Sequence, residues 1–118
     1  MTDIILAGVL IHLFVDWFLQ TDWMAQNKMK WAGYWPHPAG IVHAGLHGLF
    51  MLLVFPPLAA LLVAVLHWAL DMRVPLIWWR KALRQTTDPN NPAALHVAIW
   101  QDQVAHVLVI TAVALLLV

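Results

Sequence analysis

Apolar residues are concentrated in four long segments of the chain, and polar or turn-forming stretches separate them. The segments cover about 4–20, 40–55, 58–72 and 93–118, and Pro56 and Pro57 form a tight turn between the second and the third. We interpret the segments as four helices. Only the last reaches the roughly 20 residues that span a bilayer comfortably, so the others are expected to tilt, to thin the bilayer or to extend into the interface. A hairpin of two half-spanning helices joined at the Pro56-Pro57 turn is the alternative.

The two longer connections differ in character. Thr21–Ala39 is polar and rich in Trp, Gly and Pro, whereas Met72–Ala94 begins with "MRVPLIWWRKAL". Over about 74–84, large apolar residues stand beside Arg and Lys, a mixture typical of a helix that lies in the membrane interface. In the loop that follows, Asn91 suits the N-cap of the last helix and Pro92 suits its first turn.

Composition favours a membrane protein. Of the 118 residues, 63% are hydrophobic and 10% are charged, whereas about 25% of the residues of an average soluble domain are charged. The chain therefore has too little polar sequence to cover the surface of a soluble domain. The predicted fold class is all-α, with one transmembrane domain over 1–118: an integral membrane four-helix bundle with short tilted helices and an interfacial helix between the third and the fourth. An unusually apolar soluble bundle is the alternative.

Several classes of site and partner are excluded. The chain has no cysteine, which excludes disulfides, thiolate zinc sites, iron–sulfur clusters and cysteine nucleophiles. The formal net charge is zero, so no basic surplus indicates a nucleic-acid partner. The first apolar segment has no basic region before it and no clear cleavage site after it, so we do not expect a cleaved signal peptide.

Basic and tryptophan residues indicate an orientation. All six Lys and Arg residues lie in the two longer connections, which fall on the same side of a four-helix chain. Because basic connections favour the cytoplasm, we expect this side to be cytoplasmic, with both termini and the Pro56-Pro57 turn outside. All eight tryptophans lie near the same end of the bundle, as an interfacial aromatic belt would.

Each predicted helix carries two ionisable side chains four residues apart, a spacing that puts both on one helix face. The pairs are His12–Asp16, His43–His47, His67–Asp71 and Asp102–His106. All four fall in the half of the bundle that is expected to be cytoplasmic. We therefore expect two layers, the first nearer the cytoplasm and the second deeper: Asp16, His43, Asp71 and Asp102, then His12, His47, His67 and His106.

The four pairs point to a metal site. Each buried ionisable group is costly in a membrane, about 2.5–3.5 kcal/mol for Asp at a helix centre, and a bound cation offsets this cost. Facing helices of a bundle are an established way to build such sites. Five histidines and three aspartates exceed the needs of one tetrahedral ion, so two metals, or one metal with a spare general base, fit better. The donor set suits Zn, Mn, Fe, Co or Ni and argues against Cu(I).

Two glutamines extend the polar stripes. Gln20 follows the first pair and Gln103 lies beside the last, so either is a candidate for orienting a ligating side chain from outside the ligand set. Lipid headgroups are the alternative neighbours of Gln20. A proton or ion relay and a purely structural hydrogen-bond cluster are the alternatives to the metal site as a whole.

The same motifs resemble those of a known family. The segment "HLFVDWFLQTDWMAQNK" (12–28) resembles the opening signature of a bacterial membrane family, domain-of-unknown-function family 3307. The later "HAGLH", "HWALD" and "DQVAH" resemble its remaining motifs in the same order. The resemblance covers most of the chain and implies a small multi-pass protein of the bacterial inner (plasma) membrane, without a settled activity. A more distant similarity to membrane-bound metal-dependent hydrolases is an analogy at the level of the fold.

Two functions follow as hypotheses. The first is a metal-dependent hydrolase at the membrane interface, with Asp102 or Asp71 as the candidate catalytic base. The second is a non-enzymatic metal-binding, sensing or transport protein. The outer halves of the helices are nearly unbroken hydrocarbon, which makes a monomer a poor ion conduit, although a homo-oligomer is an open possibility. Haem ligation by two histidines is the weakest candidate, because it leaves the three carboxylates unexplained.

Overall fold

The computed structural model describes all 118 residues, and most of them are helical. In chain order the elements are α1 (Thr2–Phe14), a π-helical turn (Val15–Leu19), α2 (Asp22–Asn27), β1 (Trp31–Ala32), β2 (Trp35–Pro36), α3 (Pro38–Met51), α4 (Pro57–Asp71), α5 (Val74–Ala82) and α6 (Pro92–Leu117). The four apolar segments form α1 with its π-helical turn, α3, α4 and α6. The segment expected at the interface contains α5.

The first connection has more structure than its polar sequence indicated. α2 begins after Thr21, whose Oγ1 accepts a hydrogen bond from the backbone N–H of Met24 at 3.3 Å. The strands β1 and β2 pair antiparallel as a small hairpin, and Gly33 provides the positive φ of 66° that its turn requires. Nδ1 of His37 then accepts a hydrogen bond from the backbone N–H of Ala39, which caps α3.

Two stretches are long and apolar enough to cross a membrane: Thr2–Leu19 and Pro92–Leu117. A third would be added if α4 and α5, which meet at an angle of 56°, formed one broken span. α3 has 14 residues and α4 has 15, fewer than the roughly 20 residues of a full span. The structure therefore supports an all-α fold associated with a membrane, with two or three candidate spans rather than four demonstrated ones.

Small residues allow the helices to approach closely. A Cβ added at Gly48 of α3 would lie 3.0 Å from Cβ of Ala64 on α4. A Cβ added at Gly8 of α1 would lie 3.0 Å from Ile110 and 3.2 Å from Phe55. These contacts bring α1, α3, α4 and α6 together around one interior, as small residues do at the interfaces of membrane helices.

The apolar core lies at one end of this interior. Its buried members are Met51, Phe55, Ala59, Ala60, Val63, Ile110, Val113 and Ala114. They follow the ionisable pairs on α3 and α6 and precede the pair on α4, so the core packs beside the Pro56-Pro57 turn and the polar cluster occupies the other half. On the outside, large apolar side chains are exposed, and Phe18 and Leu116 are each 80% exposed. Such a surface suits contact with lipid.

Candidate metal centre

The structure brings all eight predicted ionisable side chains into one buried cluster. α1 and its π-helical turn, α3, α4 and α6 each contribute two of them, and none of the eight residues is more than 9% exposed. The residues are His12, Asp16, His43, His47, His67, Asp71, Asp102 and His106. Four separate polar stripes thus form a single polar interior.

Asp16 is the centre of one half of this cluster. Its Oδ1 lies 3.0 Å from Nε2 of His47 and 3.1 Å from Nε2 of His43. Nε2 of His67 is 3.8 Å from the same oxygen, and Nε2 of His12 is 3.5 Å from Oδ2. One carboxylate from the π-helical turn therefore faces imidazoles from three helices. π-helical turns of this kind are frequent at functional sites.

Asp71 is the centre of the other half. Its Oδ2 lies 3.1 Å from Nε2 of His67 and 3.3 Å from Nε2 of His43. Its Oδ1 faces Nε2 of His106 at 3.6 Å and Nζ of Lys28 at 3.2 Å. His43 and His67 therefore stand between the two carboxylates and contact both.

The four histidines expected in the deeper layer pack ring against ring. The ring centroids of His47 and His67 are 3.6 Å apart, and those of His67 and His106 are 4.3 Å apart. His12 lies 5.0 Å from His106 and 5.2 Å from His47. His43, which is expected in the other layer, is equally close to these rings, 4.9 Å from His47 and 5.0 Å from His67, so the ring contacts do not separate two layers.

Three hydrogen-bond acceptors meet beside α6. Nδ1–H of His106 donates to the backbone carbonyl of Asp102 at 2.7 Å, so Nε2 of the same neutral ring carries a lone pair. That Nε2 and Oδ1 of Asp102 are both buried without a hydrogen-bond partner, and the carboxylate of Asp71 completes the group. Buried acceptors without donors are costly, and a cation satisfies all three at once.

His43 and His67, between the two carboxylates, cannot both carry a proton on Nε2 without a close N–H to N–H contact. Nε2 of His43 lies 3.0 Å from Nε2 of His67. If both atoms carry protons to donate to Asp16 and Asp71, two N–H groups face each other. If His43 gives up its Nε2 proton, that proton moves to Nδ1, which is buried without a partner. A cation among these nitrogens removes the conflict, because a metal binds the neutral lone pair.

The two glutamines have different places. Nε2–H of His12 donates to Oε1 of Gln103 at 3.1 Å, and the amide of Gln103 donates to Oδ2 of Asp16 at 3.1 Å and to Oδ2 of Asp102 at 3.5 Å. Gln103 therefore links three members of the cluster. The helix ends at Leu19, and Gln20 is extended with φ −73° and ψ 117°, so it does not continue the stripe of α1. Its Oε1 is buried without a hydrogen-bond partner.

Lys28 is a member of the site that the helical spacing did not indicate. It follows α2, 43 residues before Asp71 in the chain, and its ammonium donates to Oδ1 of Asp71 at 3.2 Å. A Cβ added at Gly40 would lie 2.8 Å from the backbone oxygen of Lys28. Glycine at this position therefore lets the connection pack against the start of α3 and brings the lysine to the carboxylate.

A cavity of about 260 Å³ adjoins the cluster on the side of Lys28. Its polar lining residues are Asp16, Gln20, Lys28, Arg73, Asp102 and Gln103. One carboxylate from each half of the cluster, Asp16 and Asp102, faces this cavity. Lys28 and Arg73, from the two longer connections, face it as well. A small ligand therefore has room beside the cluster.

Three groups of these residues have ligand atoms that all lie within 4.8 Å of one another. The groups are His12, Asp16, His47 and His67; His43, His67 and Asp71; and Asp71, Asp102 and His106. The first and the third share no residue. The cluster therefore has the donors for two cations, and His43 is next to both positions.

The fold and the site define a mostly helical protein with apolar candidate membrane spans and with a buried cluster of five histidines and three aspartates that could hold a metal ion. A family model described as "Protein of unknown function (DUF3307)" matches residues 4–118. The chain belongs to this family, as its motifs predicted. No curated protein and no solved structure matches the chain, and the resemblance to metal-dependent hydrolases gains no support from the comparisons.

Proposed function

We propose that this protein binds two divalent transition-metal ions in its His/Asp cluster and uses them for hydrolysis at the cytoplasmic face of a bacterial inner membrane. The observation that carries the proposal is the group of acceptors formed by Asp71, Asp102 and His106. A lone-pair nitrogen, an unpartnered carboxylate oxygen and a second carboxylate converge there. A bound cation would offset the cost of that burial.

The separations support metal ligation. Two ligand atoms of a tetrahedral ion with bonds near 2.0–2.1 Å are about 3.4 Å apart. Asp71 Oδ1 and His106 Nε2 are 3.6 Å apart, and Asp16 Oδ2 and His12 Nε2 are 3.5 Å apart. Small adjustments would turn both pairs into ligands. Ligation by His12 also requires the side chain of Gln103 to rotate, since it accepts the Nε2 proton here.

The two positions suit different tasks. The group around Asp16 offers four protein ligands, the number that fills a tetrahedral site and leaves no open position. The group around Asp102 offers three and borders the 260 Å³ cavity, which leaves a coordination position for water or substrate. A metal lowers the pKa of bound water and polarises an ester or phosphoryl oxygen. Asp102 is our candidate for the general base, ahead of Asp71, through the carboxylate oxygen that does not bind the metal.

The apolar core argues against conduction through the monomer. Beyond the histidines the interior is filled by the eight buried apolar residues of the core, so the cluster has no polar path toward the Pro56-Pro57 turn. A non-enzymatic metal-binding or sensing role, a homo-oligomer with its own pathway and a local proton relay are the alternative functions that the experiment below distinguishes.

The experiment is elemental analysis followed by an activity assay. Protein purified in detergent without chelators is expected to contain about two transition-metal ions per chain. Metal-loaded protein is then tested against generic phosphoesters and carboxylic esters. Asp102→Asn is expected to retain the metal of the four-ligand group and to lose turnover by about two orders of magnitude or more. His96→Gln, which changes a histidine outside the cluster, is the matched control.

The outcomes separate the functions. Metal without turnover on any ester indicates a binding or sensing protein. Absence of metal under all loading conditions, with full thermal stability in the cluster variants, overturns the metal centre and favours a relay or a hydrogen-bond cluster.

A further inference from the structure

Two arginines near the cluster have no anionic partner in the protein. Lys28 is the only lysine or arginine whose side chain lies within 4.0 Å of a carboxylate. Neither Arg73, between α4 and α5, nor Arg80, near the end of α5, forms an ion pair with a carboxylate. Arg80 is 8% exposed and its Nε has no hydrogen-bond partner. The buried Nε–H of Arg80 thus lacks an acceptor, and an anion bound to the guanidinium would supply one.

Arg73 connects this buried charge to the metal centre. It lines the 260 Å³ cavity together with Lys28 and Asp102, and it also lines a cavity of about 190 Å³ together with Arg80. Its backbone has a positive φ of 61°, the left-handed conformation that commonly follows the end of a helix. Arg73 therefore lies in the turn between α4 and α5, two residues after Asp71, and borders both cavities.

We propose that Arg73 and Arg80 form a phosphate-binding subsite that holds the substrate of the adjoining metal centre. The inference rests on the proposed function and specifies its substrate class as phosphate esters. Guanidinium groups bind phosphate oxygens in bidentate geometry. A phosphate on Arg80 and Arg73 directs the rest of the ligand past Arg73 into the cavity that Asp102 lines. The water oxygen bonds to phosphorus as the P–O bond to the alcohol breaks. The base takes the proton of the water and passes it to the leaving oxygen, which departs as the alcohol.

The carboxylates near the two cavities favour binding of the metal before binding of phosphate. Asp16 and Asp102 face the larger cavity, and Asp88 faces the smaller one, where its Oδ1 accepts from the backbone N–H of Asn90 at 2.9 Å. These carboxylates repel an anion until cations occupy the cluster. Phosphate is therefore expected to bind more tightly to the metal-loaded protein than to the metal-free protein.

The test measures phosphate binding in the full-length protein after its metal content has been determined. Inorganic phosphate is titrated into metal-loaded protein by calorimetry. A second arm uses vesicles of phosphatidylcholine with and without phosphatidic acid. Arg80→Gln and Arg73→Gln are each expected to weaken phosphate binding about tenfold or more, with the metal content unchanged. Lys81→Gln is the matched control, because it removes one exposed positive charge from the next position of α5.

The two arms identify the source of the phosphate. Arginine-dependent binding of phosphatidic acid that free phosphate does not displace identifies a lipid headgroup, whereas displacement identifies a soluble phosphate ester. Arg80→Lys keeps the charge without the bidentate geometry and shows whether a loss in Arg80→Gln reflects misfolding. Wild-type affinity for phosphate in both Arg→Gln variants, with metal present, overturns the subsite. Absence of metal from the wild type overturns the proposed function instead.

Discussion

Nε2 of His106 faces Oδ1 of Asp71 across 3.6 Å, and no hydrogen-bond donor of the protein serves that nitrogen. The other ring nitrogen donates to the backbone carbonyl of Asp102, four residues earlier on α6. A backbone acceptor of this kind fixes the tautomer and the ring orientation of a metal-ligating histidine. His106 lies on α6 and Asp71 on α4, so a cation bound between these two side chains would connect the two helices and stabilise the bundle.

Replacing His106 by Gln is expected to remove one metal ion per chain, because only two protein ligands remain in the group around Asp102. The thermal unfolding midpoint is expected to fall by several degrees, since metal binding and folding are coupled. Elemental analysis and circular dichroism of the detergent-solubilised protein measure both effects. His96→Gln is expected to change neither, and equal metal content in the two variants would contradict the assignment.

Replacing Lys28 by Gln is expected to tighten metal binding several-fold. The ammonium, 3.2 Å from Oδ1 of Asp71, competes with a cation for the same carboxylate, and its removal leaves that oxygen to the metal. Competition with a fluorescent chelator measures the change. Lys30→Gln is the control, because Lys30 binds Asn27 at the exposed surface. Unchanged affinity in Lys28→Gln would show that Asp71 is not a ligand.

Replacing Gly40 by Ala is expected to destabilise the protein by about 1–3 kcal/mol, the usual cost of overpacking. The added methyl group would lie 2.8 Å from the backbone oxygen of Lys28, which cannot move without displacing the connection. Gly45→Ala is the matched control on the same helix, because nothing lies within 4 Å of its added Cβ. Replacement of that helical glycine is expected to be neutral or stabilising by up to about 1 kcal/mol. Chemical unfolding in mixed micelles compares the two.

Acidification is expected to release the metal. An imidazole binds a metal only when it is neutral, so protons compete for the five histidines of the cluster. Affinity should therefore be highest above about pH 7 and should decrease as the pH falls through the range in which histidine takes up a proton, near 6.5 in peptides. Metal retention after dialysis at a series of pH values tests this. A metal affinity that does not fall anywhere between about pH 7 and about pH 4 would contradict histidine ligation.

The i, i+4 pairs could be found from the sequence because helical geometry is local. His67 and Asp71 lie on one face of any α-helix, and their 3.1 Å contact follows from that spacing. The apolar segments also indicated which faces meet, since polar groups in a membrane gather inside the bundle. The family followed from the motifs in their order.

Helical spacing does not predict the positions of three other residues, which are Gln20, Lys28 and Arg73. Gln20 continues a four-residue pattern, yet the π-helical turn ends at Leu19 and the backbone becomes extended. Lys28 and Arg73 belong to connections, where no periodic pattern relates a residue to its neighbours. Their positions beside Asp71 and Asp102 depend on how the connections pack.

The sequence by itself determined that four helical segments would each present two ionisable side chains on one face, because periodicity and hydrophobicity act within a single element. Only the tertiary structure decided that Asp16 and Asp71 stand at two adjacent centres, with His43 and His67 between them. It also decided that Lys28 and Arg73 from the connections lie at the edge of the cluster. Those relationships depend on helix rotation, on the close approach at Gly40 and Gly48 and on the course of the loops, and all of these arise from contacts between residues far apart in the chain.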